Sequence, residues 1–131
     1  MKIIELDNFN NEFKNYFEKK FYYLKDYIFI NQLNMIEQNK VRLMIFEKNL
    51  ISLYSIECIY DSFILIDINL LFLTQFSIAN SICYKLLENN IILKNPNGNL
   101  IFKLNNENDM NIFTELIIKT SQSLNDCYFE I

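Results

Sequence analysis

Residues 41–73 read VRLMIFEKNLISLYSIECIYDSFILIDINLLFL, and this stretch decides the fold class. Apolar residues recur with a period of two in three runs, 41–47, 50–60 and 63–73, as in strands that present one face to a core. The polar pairs at 48–49 and 61–62 separate the runs and are typical of tight turns. The stretch therefore predicts a three-stranded antiparallel meander.

Helices are predicted on both sides of the meander. Before it, an aromatic residue recurs at every fourth position, which gives one apolar stripe, at Phe9, Phe13, Phe17 and Phe21. After it, residues 75–89 show apolar residues four apart in two neighbouring stripes, and we expect a second helix there. The pattern blurs over 22–38, which fits either an extension of the first helix or a packed connection.

The C-terminal third predicts a hairpin and a last helix. Two short apolar runs, 91–93 and 100–104, flank the sequence Asn95-Pro96-Asn97-Gly98, where Pro suits the second turn position and Gly the positive-φ position. Residues 107–124 predict a helix with an apolar face formed by Met110, Phe113, Leu116, Ile117 and Leu124. The element order is α-β-β-β-α-β-β-α, an α+β fold with helices packed on an antiparallel sheet, in a single domain over residues 1–131.

The composition excludes most kinds of chemistry. The 131 residues include no His, one Gly and one Pro, and the net charge is −4. Without His the usual general base and metal ligand are missing, and one Gly cannot build a phosphate-binding loop. The negative charge opposes nucleic-acid binding. We expect no catalytic residues, no cofactor and no metal site.

Cysteines and hydropathy indicate where the protein works. Cys58, Cys83 and Cys127 are an odd number with wide spacing, which favours reduced thiols in the cytoplasm. No secretory signal is apparent, because Glu5 and Asp7 interrupt the first apolar residues. The longest uncharged run, 68–84, is shorter and more polar than the roughly 20 apolar residues of a membrane helix. We expect a cytoplasmic protein with no membrane insertion.

The predicted strands have more apolar surface than one sheet face needs. Runs 41–47 and 63–73 carry large apolar residues on both faces, so these faces either pack under a helix or meet a partner. Residues 49–84 also hold three acidic residues and no basic one. That segment is either a solubilising surface or an acidic face that attracts a basic partner.

Residues 85–117, KLLENNIILKNPNGNLIFKLNNENDMNIFTELI, are similar to the C-terminal half of class I type III secretion chaperones. The three upstream runs resemble the three-stranded first half of that family, so the resemblance covers nearly the whole chain. Two departures are visible: 22–38 is longer than expected between first helix and first strand, and the Trp or basic tail of many relatives is missing.

The resemblance implies a homodimeric cytoplasmic chaperone. It would bind the N-terminal segment of a secreted virulence effector and keep that segment extended and competent for secretion. In the family the second helix forms much of the dimer contact, which here corresponds to Ile78, Ala79, Ile82 and Leu86. Effector segments would lie over outward-facing members of the set Phe9, Phe13, Phe17, Met44, Phe46 and Leu65.

Two other classes of protein fit the same composition. An immunity protein that neutralises a bacterial toxin would also be small, acidic and α+β, and would bind a folded toxin with a mostly polar surface. A small hydrolase is the third possibility, which the absence of His and of Gly-rich turns opposes.

Overall fold

The fold is an α+β arrangement of two helices and one sheet that is antiparallel except for its last strand, given by a computed structural model that describes residues 11–33, 40–96, 98–120 and 129–130. The helices are α1 (Asn11–Lys20) and α2 (Glu107–Thr120). The strands are β1 (Tyr27–Gln32), β2 (Lys40–Glu47), β3 (Leu50–Asp61), β4 (Ile64–Ser77), β5 (Ile82–Lys85), β6 (Asn90–Asn95), β7 (Gly98–Lys103) and β8 (Phe129–Glu130).

The predicted meander is confirmed as β2, β3 and β4, which pair antiparallel in sequence order. A strand that was not predicted, β1, lies inside 22–38 and pairs with β2. The strand order is β4-β3-β2-β1-β7-β6-β5-β8, in which β8 pairs parallel with β5. Pairing of Asn31 with Lys103 joins the two halves of the sheet, so β1 lies in its interior and β4 at its edge.

The sheet is strongly curled. β4 and β5 lie six strand spacings apart in this order, a distance of about 29 Å in a flat sheet. The five steps from Ser77 to Ile82 reach at most about 18 Å, so the sheet must bend to bring the two strands together. Asn95 of β6 shows that the end of β4 lies close to this half of the sheet. Its Nδ2 donates hydrogen bonds to the carbonyl of Ser77, the last residue of β4 (3.2 Å), and to Ser81 Oγ (2.9 Å).

The predicted second helix at 75–89 is wrong. β4 continues to Ser77, and the chain then passes through the single 3-10 turn Ile78–Asn80, strand β5 and a second 3-10 turn at Leu87–Asn89. Ser81 Oγ donates to the Ser77 carbonyl (2.6 Å), and β5 pairs with β6 along its whole length. Backbone pairing with β6 therefore replaces the intrahelical bonds of the expected helix.

Two apolar clusters lie on opposite faces of the first four strands. The inner cluster is closed by α2 and consists of Ile28, Ile30, Met44, Phe46, Ile51, Leu53, Phe76, Ile78, Cys83, Ile91, Leu93, Leu100, Phe102, Leu104, Met110, Phe113, Leu116 and Ile117. The outer cluster lies under α1 and consists of Phe13, Phe17, Phe21, Leu43, Ile45, Cys58, Leu65 and Ile68. Both faces of β2 are thus covered by helices. Of the two alternatives for its apolar surface, a helix or a partner, the structure shows packing under a helix.

The other local predictions hold where the structure describes them. Asn95 pairs with Gly98 across the predicted hairpin turn, and Gly98 has φ +145°. α2 buries four of its five predicted inward residues, while 121–124 lie outside the described residues, as does the predicted helix start before Asn11. Neither described helix is long and apolar enough to cross a membrane.

Candidate binding surface on strand β4

β4 is a long edge strand that carries several exposed apolar side chains. It is 14 residues long, and among the described strands it pairs on one side only, with β3. Its exposed apolar side chains are Ile64 (62% exposed), Ile66 (49%), Leu71 (52%), Phe72 (57%) and Leu73 (44%). Contiguous exposed apolar groups on a sheet edge mark an interaction site, because the edge also offers unpaired backbone groups to another chain.

The first part of this edge, residues 64–68, is sealed by side chains of α1. Glu12 Oε1 accepts a hydrogen bond from the Leu65 amide (3.1 Å), and Tyr16 donates its hydroxyl hydrogen to the Ile66 carbonyl (2.7 Å). Lys20 Nζ donates to the Ile68 carbonyl (2.6 Å). These three side chains occupy outward backbone groups of the sealed segment, 64–68, which an added strand would need.

An ion pair reinforces the sealed segment. Lys20 Nζ lies 2.5 Å from Asp67 Oδ1, which also accepts bonds from the Ile68 amide (2.8 Å) and the Tyr16 hydroxyl (3.3 Å). The hydrogen bond from Lys20, followed by that from Ile68, lowers the pKa of Asp67 below its ordinary value of 3.8. The charged carboxylate is therefore the form that fits this site.

The second part of the edge, residues 69–76, is open. Within the part of the chain that the structure describes, no side chain bonds to the backbone of these residues. Alternate amide and carbonyl groups of an edge strand point away from the sheet, and here nothing described caps them. The open segment, 69–76, thus combines backbone bonding capacity with the exposed groups of Leu71, Phe72 and Leu73.

A β-bulge shapes the open segment. Leu53 pairs with Thr74 and Tyr54 pairs with Phe72, so Leu73 is an extra residue in β4. Phe72 stays on the α1 side of the sheet, where its ring packs edge-on against Tyr54 at 5.6 Å, while Phe76 enters the inner cluster. Bulges redirect side chains at functional edges, and this one leaves three consecutive large apolar residues at the surface.

The β3–β4 turn adds a strained aromatic residue at one end of the same strand. Ser62 and Phe63 have φ angles of 51° and 70°, and the Phe63 ring is 94% exposed. Two-residue turns of this kind favour Asn-Gly, and a bulky residue with positive φ costs about 1–2 kcal/mol. A ring this exposed contributes little buried surface to the fold, so Phe63 is a second candidate contact residue.

The five described members of the predicted effector-binding set are core residues. Phe13, Phe17 and Leu65 belong to the outer cluster, and Met44 and Phe46 belong to the inner cluster. None of these five is outward-facing, because each is buried in one of the two clusters. The effector role was predicted only for outward-facing members of the set, so these five do not meet its condition. Phe9 lies outside the described residues.

The predicted dimer residues do not share a helical face. Ile78 is fully buried, Ala79 is exposed, Ile82 is half-buried in β5, and Leu86 is exposed after that strand. Because no helix forms here, these four side chains do not make one continuous stripe. The structure therefore does not bring them together as the interface that the resemblance implied.

The acidic residues Glu57 and Asp67 of the hairpin are not directly opposite each other. Glu57 pairs with Asn69, whereas Asp67 pairs with Ile59 and is bonded to Lys20. Across the described ranges no three His, Cys, Asp or Glu side chains come together as a metal site. Burial raises the pKa of the Cys58 thiol to about 11, so this thiol is protonated at neutral pH.

Sequence reasoning missed β4 as an edge. The available sign of an exposed strand was that run 63–73 is apolar on both faces. This pattern did not show that the open segment lies at the sheet edge, since strand order depends on the remote pairing of β1 with β7.

No protein-family model and no curated protein matches this sequence.

Proposed function

We propose that this protein is a chaperone without catalytic activity that binds an extended segment of a partner protein as an added strand on the open segment of β4. The observation that carries the proposal is the combination of uncapped edge backbone and exposed Leu71, Phe72 and Leu73. Main-chain bonds in strand addition accept varied sequences, while alternate side chains enter apolar contacts. That suits a partner that must be held unfolded.

The similarity to class I type III secretion chaperones supplies the proposed setting. The partner segment would be the N-terminal part of a secreted virulence effector, and binding would take place in the cytoplasm before export. A homodimer belongs to the same proposal, but its contact surface cannot be the helix expected at 75–89. The proposed binding surface also differs from the one the resemblance suggested, because it uses the edge of the sheet.

The test begins with the partner that co-purifies from the native cell and is trimmed by protease while bound. Hydrogen exchange of the complex should show added protection in the open segment and little change in the sealed segment. Leu71→Lys should weaken binding at least about tenfold, because a Lys on the strand edge opposes both strand addition and apolar contact. Ile101→Lys is the matched control, since Ile101 is an exposed apolar residue on the interior strand β7.

The trimmed partner decides between the function classes. A short protected peptide supports a chaperone, and a folded domain of a toxin supports an immunity protein. Protection elsewhere, or equal effects of Leu71→Lys and Ile101→Lys, would show that the open segment is not the binding site.

A further inference from the structure

We propose that Arg42 of β2 binds a carboxylate of the partner segment, on the inner face of the sheet beside the open segment. The inference rests on the proposed function in taking the bound partner segment as the source of this carboxylate. Strand addition alone accepts varied sequences. A carboxylate bound at Arg42 selects partner segments that carry an acidic residue at a fixed distance from the added strand.

Arg42 is positioned by a neighbouring amide side chain. Its Nε donates a hydrogen bond to Gln32 Oε1 on the adjacent strand β1 (2.9 Å). The residue is half-buried and lies directly opposite Ile30, which is fully buried. A guanidinium whose Nε is occupied still presents its two Nη groups, and this end matches the two oxygens of a carboxylate.

The guanidinium of Arg42 has no negative partner within the described ranges. No carboxylate there forms an ion pair with it, and the bond to Gln32 is the one hydrogen bond that its side chain makes. Burial lowers the pKa of Arg42 below its ordinary value of 12.5, although an arginine stays charged at neutral pH. A half-buried charge without an opposite charge costs free energy, which a bound carboxylate offsets.

A row of paired residues joins Arg42 to the open segment. Arg42 pairs with Ser55 of β3, and Ser55 pairs with Leu71 of β4. Directly opposite residues in a sheet share a face, so all three lie on the inner face. The row runs along the end of the inner cluster, to which Met44 and Leu53, the next positions on that face, belong. Leu71 is 52% exposed, so the row is open to a ligand at its β4 end.

The distance along the row suits a chain that turns from the edge onto the inner face. Arg42 and Leu71 lie two strand spacings apart, which is about 10 Å. About three extended residues span that distance. Ser55, between them, is a small residue that leaves space above β3. A partner segment that leaves the added strand over Leu71 can therefore place an acidic side chain at Arg42.

Titration calorimetry with the protease-trimmed partner segment tests the inference on the whole chain. Arg42→Gln should weaken binding at least about tenfold, because it removes a bidentate charge-assisted contact. Replacing the acidic residue of the segment by its amide should weaken binding to the wild type by a similar factor, and should change binding to Arg42→Gln little. Lys48→Gln is the control: Lys48 is an exposed cation in the β2–β3 turn, and its loss should change binding less than about twofold.

Gln32→Glu separates a binding role from a structural one. The substitution keeps the size of the side chain and supplies a carboxylate at the oxygen that already accepts the bond from Arg42 Nε. Unfolding in urea should show no loss of stability, while binding of the partner segment should fall, because the internal carboxylate competes for the guanidinium. Asn99→Asp, on the exposed part of β7, is the control for the added negative charge. Unchanged binding to Gln32→Glu would show that Arg42 serves the fold alone.

Acetate is a probe that needs no partner. Arg42 is the only arginine among the 131 residues, so the protein gives a single arginine Nε signal in nuclear magnetic resonance spectra. This signal should shift saturably with acetate and less with chloride at the same ionic strength, and Gln32→Glu should abolish the difference. Equal shifts with the two salts would overturn the inference.

The two proposals can fail separately. A trimmed segment whose binding depends on Leu71 but shows no coupling to Arg42 removes this inference and keeps the proposed function. A protein that captures no extended segment, while Arg42 still binds acetate, removes the proposed function and keeps Arg42 as a carboxylate-binding residue.

Discussion

The two parts of the β4 edge differ in one respect that matters for binding. Both carry large exposed apolar side chains, but the backbone of the sealed segment is bonded to Glu12, Tyr16 and Lys20, and that of the open segment has no such partner in the described chain. The difference arises from the length of α1. Its ten residues extend about 15 Å, whereas the 14 residues of β4 extend about 46 Å.

The comparison indicates where on this edge the proposed strand addition would take place. Natural sheets protect their edges with charged side chains, bulges or a covering element. Here α1 supplies charged and hydroxyl groups that reach round the edge, and Asp67 holds one of them in place. Within the described chain no side chain bonds to the backbone of residues 69–76 in this way, so the proposed strand addition is expected at this stretch of the edge.

The largest effect is expected from Phe17→Ala, which breaks the sealed segment by loosening α1. Phe17 is buried and packs against the rings of Phe21 (4.9 Å) and Phe29 (5.1 Å). Deleting such a side chain costs about 3–5 kcal/mol of unfolding free energy, which urea titration measures. Hydrogen exchange of the sealed segment should also speed up.

Tyr22→Ala is the control for this substitution, since Tyr22 follows α1 and is 81% exposed. It should change the unfolding free energy by less than about 0.5 kcal/mol. A loss below 1 kcal/mol for Phe17→Ala would mean that the packing of α1 contributes little to stability.

A smaller effect, of opposite sign, is expected from Phe63→Gly. Glycine adopts the φ of 70° without strain, so the substitution should stabilise the protein by about 1 kcal/mol. Phe63→Ala keeps a Cβ and should gain less, as thermal or urea unfolding will show. Equal stability of the two variants would contradict the assigned strain.

The smallest effect is expected from Asp67→Asn, which sharpens the role of the ion pair in the sealed segment. The pKa of Asp67 is lowered in the folded protein, so its contribution is present above the ordinary value of 3.8 and is lost as pH falls through the folded pKa. The variant should therefore be less stable than the wild type at neutral pH. The difference should shrink in acid.

Urea unfolding between pH 2 and pH 7 measures this convergence. Asp61→Asn is the control, because among the described residues Asp61 accepts only a long bond from Ser62 Oγ (3.5 Å). A stability difference that is independent of pH would show that the charge of Asp67 does not hold Lys20 at the edge.

The local elements were predictable where the sequence has one interpretation. Three patterns are each compatible with a single local structure: the period of two in β2 and β3, the Asn-Pro-Asn-Gly turn and the apolar face of α2. The residues at 78, 82 and 86 do not, since a spacing of four places side chains on one face of a helix and also on one face of a strand. Helix propensity does not decide between the two for residues 75–89, and pairing with β6 decided the outcome.

The candidate site was not predictable to the same degree. β2 and β4 are both apolar on two faces, and in β2 the reason is burial between two helices. In β4 the same composition extends past the cover of α1 and becomes surface. The predicted contact residues were chosen from apolar patterns, which select core residues such as Phe17 and Met44 more readily than exposed ones.

Local sequence is sufficient to predict the α+β class, the meander, the Pro-Gly hairpin and the last helix, because these depend on side-chain period and turn chemistry over a few residues. Which apolar strand lies at the edge is set by long-range pairing in the folded protein. That position follows from the pairing of β1 with β7, between residues such as Asn31 and Lys103 that are far apart in the chain. Contacts over such distances leave no periodic signal, and here they place the open segment of β4 at the surface.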